Sequence, residues 1–285
     1  TIKYMEIMEM EKSTLLDDVL IDLDENSVQT SVQAEAQTDY SNDVLAIVLL
    51  YRNANFKGVI KPYNLEICGK KMYEWTMESV SDFEVKTIAC DDHSNIVPLI
   101  KPLLNNKKTT IVLYSDTPLI SQDTIHKVLD YFAIRHLNVL KLNRGWVFDT
   151  EYISNAESVS SVMTRDFGEN EFFAVGDAYT LEKATNVLKN RILDFHLHNG
   201  VFIEDKDTTF IDASVIIESS AKIEPNNVLK GETYIGKNVI LEPNNTIISS
   251  IISSGCDIKS SYVKNSKITE NMVVGPFELI EEKES

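Results

Sequence analysis

Charged side chains that could contact a metal ion or a phosphate lie next to two predicted strands. Asp116 follows the apolar segment Thr109–Tyr114, and the loop after an earlier apolar segment carries Arg52, Lys57 and Lys61. Open α/β sheets bind ligands beyond the carboxyl ends of their strands, which is where Asp116 is predicted to lie. Asp116 therefore has two open interpretations, a metal-site residue or a strand-end residue before a proline turn. The three cations could bind phosphate, but a solvated loop is the interpretation that the sequence favours.

The cysteines and histidines form no pattern typical of zinc binding or nucleophilic catalysis. The three cysteines are widely spaced, which argues against a disulfide framework and suits a reducing cytoplasm. His196 and His198 are two residues apart on a predicted helix and so do not face each other. The remaining histidines are isolated along the chain.

The negative charge is concentrated at one end of the chain. The net charge is −17, and residues 1–43 hold 11 acidic and 2 basic side chains. A chain this acidic, with no basic stripe, is a poor binder of nucleic acid or anionic membranes. We also expect no transmembrane segment and no secretion signal. Residues 1–43 are predicted to be an acidic extension and linker.

The elements that must position Asp116 follow an alternating order from residue 44 to residue 200. Apolar runs predict buried strands, and helical patterns lie between them. This alternation predicts an α/β, Rossmann-like domain with a mostly parallel sheet. The predicted strands begin at Val44 and include Phe83–Cys90, Thr109–Tyr114 and Val139–Phe148. The predicted helices are Lys71–Val80, Asn95–Leu104, Gln122–Phe132 and Thr180–His198, with Ser121 as an N-cap and Gly200 as a C-terminal stop.

Residues 201–285 have a different period. Aliphatic side chains recur every six residues from Ile211 to Ile247, and Glu-Pro-Asn-Asn occurs at 224–227 and again at 242–245. The two copies are 18 residues apart, which is three hexads. This pattern predicts a short left-handed parallel β-helix, in which each leading aliphatic stacks on its counterpart in the next coil.

The order of the segments resembles one enzyme family. Three segments carry most of the resemblance: Ile67–Trp75 is similar to a G-K-P-M segment, Val112–Ile120 to Y-G-D-x-P-L, and Asn143–Asp149 to N-x-G-x-Y-x-F. With the connecting helix and the β-helix, they resemble the bifunctional N-acetylglucosamine-1-phosphate uridyltransferase/glucosamine-1-phosphate acetyltransferase family. The resemblance runs from about residue 44 to the end of the chain.

The resemblance implies a nucleotidyltransferase chemistry that uses magnesium. In that family a sugar 1-phosphate attacks the α-phosphorus of a nucleoside triphosphate, and charge accumulates on phosphoryl oxygens. Asp116 matches the aspartate that holds magnesium. Asn143 and Gly145 match positions near the sugar nucleotide.

Several positions depart from the family pattern. Aligned without gaps, Arg52 and Ala54 replace two loop glycines, while Phe56 and Tyr63 replace an arginine and a lysine. Gly176 replaces the second metal ligand, an asparagine, and the neighbouring Asp177 is a weak substitute. Only 22 residues separate Ile120 from Asn143, where the family has a longer region that contributes much of the sugar pocket.

These departures favour a non-catalytic relative with an eroded site, acting as a binding, regulatory or scaffold protein. The alternative is an active sugar-1-phosphate nucleotidyltransferase that makes a UDP-sugar from UTP with magnesium at Asp116. The weakly expected substrate contacts are Asn143, Gly145, Lys57 and Lys61. Acetyl transfer is not expected, because the family's catalytic histidine lies in later coils of the β-helix. A nucleotide sugar is the expected small-molecule partner, and the β-helix could support a trimer or a hetero-partner.

Overall fold

Two different strand arrangements follow each other along the chain. The computed structural model describes residues 39–52, 56, 61–91, 95–159, 163–168 and 170–281. Residues 1–38 of the predicted extension 1–43 lie outside the described residues. A six-stranded sheet with flanking helices comes first, and three sheets of stacked short strands follow. No helix in the described part is long and apolar enough to cross a membrane.

Among the described residues, the first part contains eight strands and five α-helices. The strands are β1 (Val44–Tyr51), β2 (Glu66–Ile67), β3 (Lys70–Lys71), β4 (Glu84–Cys90), β5 (Thr109–Tyr114), β6 (Val139–Leu142), β7 (Gly145–Asp149) and β8 (Met163–Thr164). The helices are α1 (Met72–Glu78), α2 (Val97–Ile100), α3 (Gln122–Ile134), α4 (Thr150–Asn155) and α5 (Ala178–His198). Short 3-10 helices span Pro62–Asn64 and Lys101–Leu103.

The strand order of the sheet is β4-β1-β5-β7-β6-β8. Strand β1 pairs in parallel with both β4 and β5. Val44 through Leu49 are completely buried, because helices and loops cover both faces of this central strand. The predicted α/β fold with a mostly parallel sheet is confirmed, and β7 is the strand that runs against its neighbours.

One predicted strand is two strands in the structure. The segment Val139–Phe148 was expected to be a single run, but it forms the hairpin of β6 and β7 with Asn143 and Arg144 at its tip. Leu142 pairs with Gly145 across this tip, and Leu113 of β5 pairs with Gly145 on the other side. Apolar residues flank Asn143–Gly145 on both sides, and the two polar residues and the glycine between them mark the reversal.

The residues predicted to begin α3 and to end α5, Ser121 and Gly200, are in place. The Ser121 hydroxyl accepts a hydrogen bond from the Thr124 amide at the start of α3. Asp177 caps α5 in the same way through the Thr180 amide at 2.8 Å. Helix α5 ends at His198, and Gly200 follows with a φ of +80°, as its predicted role as a C-terminal stop requires.

His196 gives α5 a pH-dependent contribution to stability. Burial lowers the pKa of His196 from 6.5 to about 4. The folded state therefore takes up this proton less readily than the unfolded state, so the contribution is complete above pH 6.5 and falls between about 6.5 and 4. We expect the free energy of unfolding, measured with urea, to be about 2–3 kcal/mol lower at pH 4.5 than at pH 7.5. His196→Gln should remove most of this difference. His198→Gln, at an exposed position of the same helix, should keep the full pH dependence. If the free energy of unfolding changed equally with pH in the two variants, the pH dependence would not come from His196.

The second part is the left-handed parallel β-helix, confirmed by the stacking of its strands. One face of the coil contains five strands: β10 (Phe210–Ile211), β13 (Val228–Lys230), β16 (Thr246–Ile248), β19 (Tyr262–Lys264) and β22 (Leu279–Glu281). The next face contains β11 (Ile216–Ile217), β14 (Tyr234–Ile235), β17 (Ile251–Ile252) and β20 (Lys267–Ile268). The third contains β9 (Phe202–Ile203), β12 (Lys222–Ile223), β15 (Ile240–Leu241), β18 (Asp257–Ile258) and β21 (Val273–Val274).

The inward aliphatics stack in columns, but their spacing in the chain shortens. Leu229 pairs with Ile247, and Ile247 pairs with Val263, so the interval falls from 18 to 16 residues. Ile252 fills an inward position five residues after Ile247 and is completely buried. Shorter corners accommodate the change, with Ser249 at φ +46° in the corner between these two residues. The strict hexad therefore holds only for the earlier coils.

Candidate active site

The site is built at the carboxyl ends of β1 and β5. The Tyr51 amide donates to the Ser115 hydroxyl at 3.0 Å, and the Ser115 amide donates to the Leu49 carbonyl at 2.9 Å. These bonds join the end of β1 to the segment that follows β5. Thr117 closes the turn through its hydroxyl, which donates to the Tyr114 carbonyl at 2.7 Å. Asp116, between Ser115 and Thr117, is therefore held at the edge where open α/β sheets bind ligands.

Both carboxylate oxygens of Asp116 accept hydrogen bonds from Arg144. Arg144 Nε lies 3.0 Å from Asp116 Oδ1, and Arg144 Nη2 lies 2.6 Å from Asp116 Oδ2. The Asp116 side chain is 2% exposed and that of Arg144 is 23% exposed. This two-bond geometry is the strongest arrangement available to a guanidinium and a carboxylate.

Two tyrosine rings lie within cation–π distance of the same guanidinium. The Arg144 guanidinium carbon lies 4.3 Å from the centre of the Tyr114 ring and 5.0 Å from that of Tyr51. The two rings meet edge to face, with centres 6.1 Å apart. Burial raises the pKa of Tyr114 to about 12, so this ring is neutral at physiological pH and favours the cation through its π face.

The position expected to supply a second metal ligand lies beside Asp116 but offers no side chain. The Val175 amide donates to the Asp116 carbonyl at 2.7 Å, and Gly176 is the next residue. Asp177, the weak substitute, is engaged as the cap of α5, where its Oδ1 also accepts from the Thr180 hydroxyl at 2.7 Å. In the part of the chain that the structure describes, no group of three acidic, histidine or cysteine residues could hold a metal ion.

These residues do not fit a magnesium ion. Magnesium demands a near-octahedral set of oxygen ligands, and the two oxygens of Asp116 are already paired with a cation. At the carboxylate where a metal was expected, the structure places Arg144, a residue that the sequence did not identify as part of the site.

The residues that replace an arginine and a lysine of the family pattern are aromatic and lie against other apolar or aromatic side chains. Tyr63 is 6% exposed and meets the Tyr73 ring edge to face. Phe56 packs against the buried cluster that contains Leu119 and Val175, next to Asp116 in the fold. An apolar ring in this place offers no charge to a phosphate.

The structure gives other contacts to the residues that were predicted to bind substrate. Asn143 is exposed, and its Nδ2 donates to Asp166 Oδ1 at 3.0 Å. A Cβ at Gly145 would lie 2.6 Å from the Val112 carbonyl oxygen, so the glycine is required for close pairing of β7 with β5. Lys61 is exposed just before the 3-10 helix Pro62–Asn64. Lys57 lies outside the described residues.

Comparison with known proteins places the chain beside one group of relatives. No protein-family model matches the chain. The bifunctional protein GlmU of Clostridium beijerinckii is 37% identical over 127 residues, which is 45% of this chain and 27% of that protein. GlmU of Thermoanaerobacter pseudethanolicus is 23% identical over 301 residues, covering 74% of this chain and 66% of that protein. The chain is a relative of the GlmU family.

Relatedness to GlmU confirms the family resemblance of the sequence, but the shared length is limited. GlmU of Caldanaerobacter subterraneus is 39% identical over 135 residues, or 30% of that protein. The chain thus spans less than a third of the length of the Clostridium beijerinckii and Caldanaerobacter subterraneus proteins. Among solved structures, CMP:2-keto-3-deoxy-manno-octonic acid synthetase complexed with CTP covers 52% of this chain and 99% of its own, with 12% identity and a TM-score of 0.43.

Arg144 is the site residue that sequence reasoning missed. It was treated as an interior position of a predicted strand, where an arginine carries no special meaning. The available signal was Gly145, because a glycine inside an apolar run often marks a close approach of two backbones.

Proposed function

We propose that this chain is a non-catalytic relative of GlmU, with a nucleotidyltransferase-like domain whose site is eroded. The observation that carries the proposal is the bidentate pair of Asp116 with Arg144. Nucleotidyl transfer relies on cations that stabilise the charge on the phosphoryl oxygens. Here the carboxylate that would hold the metal is neutralised by a protein side chain, so the pair adds no net positive charge.

The substitutions around the pair support the same conclusion. Gly176 supplies no ligand, Asp177 is committed to capping α5, and Phe56 and Tyr63 present rings where the family has cations. The described residues of the α/β domain and of the β-helix nevertheless form buried hydrophobic clusters. A protein that retains its core while its site loses charge is suited to a binding or scaffold role. The proposed small-molecule partner is a nucleotide sugar. The β-helix is the proposed surface for a trimer or a hetero-partner.

We expect no pyrophosphate release from UTP and N-acetylglucosamine-1-phosphate in the presence of magnesium. The assay should give the same background rate for the unaltered chain and for Asp116→Asn, because no metal is bound through Asp116. Turnover by the unaltered chain that Asp116→Asn abolishes would establish the alternative, an active nucleotidyltransferase.

A thermal-shift assay separates a binding role from a purely structural one. UDP-N-acetylglucosamine added together with EDTA should raise the melting temperature if the chain binds a nucleotide sugar without metal, since a ligand stabilises the folded state by mass action. No shift at millimolar ligand would restrict the role to that of a scaffold.

A further inference from the structure

Arg144 reaches Asp116 because of the way in which three strands pair. Gly145 begins β7 opposite Leu113 of β5, in a contact with the β5 backbone that a Cβ would obstruct. Arg144 precedes Gly145 at the tip of the hairpin and therefore lies next to the carboxyl end of β5. Asp116 follows the end of β5. The two charges are therefore brought together by the main sheet.

The guanidinium is held in the manner of a bound ligand. Its Nε and Nη2 edge faces the two carboxylate oxygens, and its central carbon lies 4.3 and 5.0 Å from the ring centres of Tyr114 and Tyr51. The acidic partner is almost completely buried. A guanidinium is always charged at physiological pH, and its planar fork matches the geometry of a carboxylate.

We propose that Arg144 is a resident cation that replaces the divalent metal ion and closes the Asp116 carboxylate to metal. This inference rests on the non-catalytic function proposed above and assigns the closure to one side chain. A divalent ion would have to displace the guanidinium from both carboxylate oxygens and from the two rings. After displacement it would find one carboxylate, with no side chain at Gly176 to complete its ligands.

The test is a titration with Mn²⁺, followed by the electron paramagnetic resonance signal of the free ion, with no nucleotide present. The unaltered chain and Asp116→Asn should bind the same small amount of Mn²⁺. The opened variant Arg144→Gln with Gly176→Asn frees the carboxylate and adds an amide oxygen beside it. We expect this variant to gain one site that binds Mn²⁺ at least tenfold more tightly, and to lose it when Asp116→Asn is added.

The matched control is Arg135→Gln with Gly176→Asn, which removes the same charge from an exposed arginine at the C-terminal end of α3. This control should not gain a site. Mn²⁺ binding by the unaltered chain that depends on Asp116 would overturn the inference, and so would a folded opened variant that binds no more than the control. If circular dichroism shows that the opened variant is unfolded, the comparison of the unaltered chain with Asp116→Asn decides alone.

The two proposals fail in different ways. Pyrophosphate release that depends on Asp116 would overturn the non-catalytic function. Mn²⁺ binding at Asp116 without any pyrophosphate release would overturn only the role of Arg144.

Discussion

Replacing Arg144 with glutamine will lower the free energy of unfolding by about 3–5 kcal/mol, because it leaves a buried carboxylate without its counter-charge. The Asp116 side chain is 2% exposed, so water cannot replace the guanidinium without opening the site. Glutamine keeps much of the aliphatic stem and one donor group, so loss of the charge, rather than loss of packing, dominates the change. Urea unfolding followed by circular dichroism gives the measurement.

A double-mutant cycle isolates the pair from its surroundings. Asp116→Asn with Arg144→Gln removes both charges, and two neutral amides can hydrogen-bond to each other. We expect the double variant to be more stable than Arg144→Gln alone, with a coupling of about 2–3 kcal/mol between the two positions. Arg135→Gln, at an exposed arginine that stacks on Tyr131 at 5.6 Å, should change stability by less than about 1 kcal/mol. Equal losses for Arg135→Gln and Arg144→Gln would refute the energetic role of the pair.

Asp116 and Arg144 show which residues of the site can be predicted from the sequence and which cannot. Asp116 could be placed because the apolar run before it and the turn after it are both local. Arg144 lies 28 residues further along, and its contact depends on the antiparallel pairing of β7 with β5. The apolar residues on both sides of Asn143–Gly145 favoured one strand from Val139 to Phe148, although the polar pair and the glycine between them are a turn signal, so this pairing was not predicted.

The β-helix shows the same limit in another form. The leading aliphatics up to Ile247 were found from the hexad spacing, and each is buried as expected. Ile252 and Val263 were missed because each follows a corner one residue shorter than the hexad requires. Residues such as Ser249 and Ser260 take left-handed backbone angles in these corners, at φ +46° and +39°. Small polar residues outside a repeat do not predict such short corners. The stacking of Ile252 and Val263 is therefore visible only in the structure.

The second large effect is expected inside the β-helix, where buried asparagines connect successive coils. Asn227 and Asn245 belong to the two Glu-Pro-Asn-Asn copies, and both are completely buried. The Asn245 amide donates to Asn227 Oδ1 at 3.2 Å, and the Ser261 amide donates to Asn245 Oδ1 at 2.8 Å. Asn245 Nδ2 donates to the carbonyls of Glu242 at 2.5 Å and Ile258 at 3.0 Å. One side chain thus satisfies backbone groups of its own coil and of the next.

Asn245→Ala should therefore lower the free energy of unfolding by about 3–5 kcal/mol, because each buried backbone group left without its partner costs about 1–3 kcal/mol. Asn245→Asp should cost still more, since a carboxylate cannot donate to the two carbonyls and would carry a buried charge. Urea unfolding measures both changes, and amide hydrogen exchange gives a local readout, with faster exchange expected at Ser261. Asn190→Ala makes the same substitution at an exposed position of α5 and should be neutral or slightly stabilising, because alanine is the better helix former. A loss at Asn245→Ala no larger than that of Asn190→Ala would mean that the inward aliphatic columns hold the coils together without the asparagine ladder.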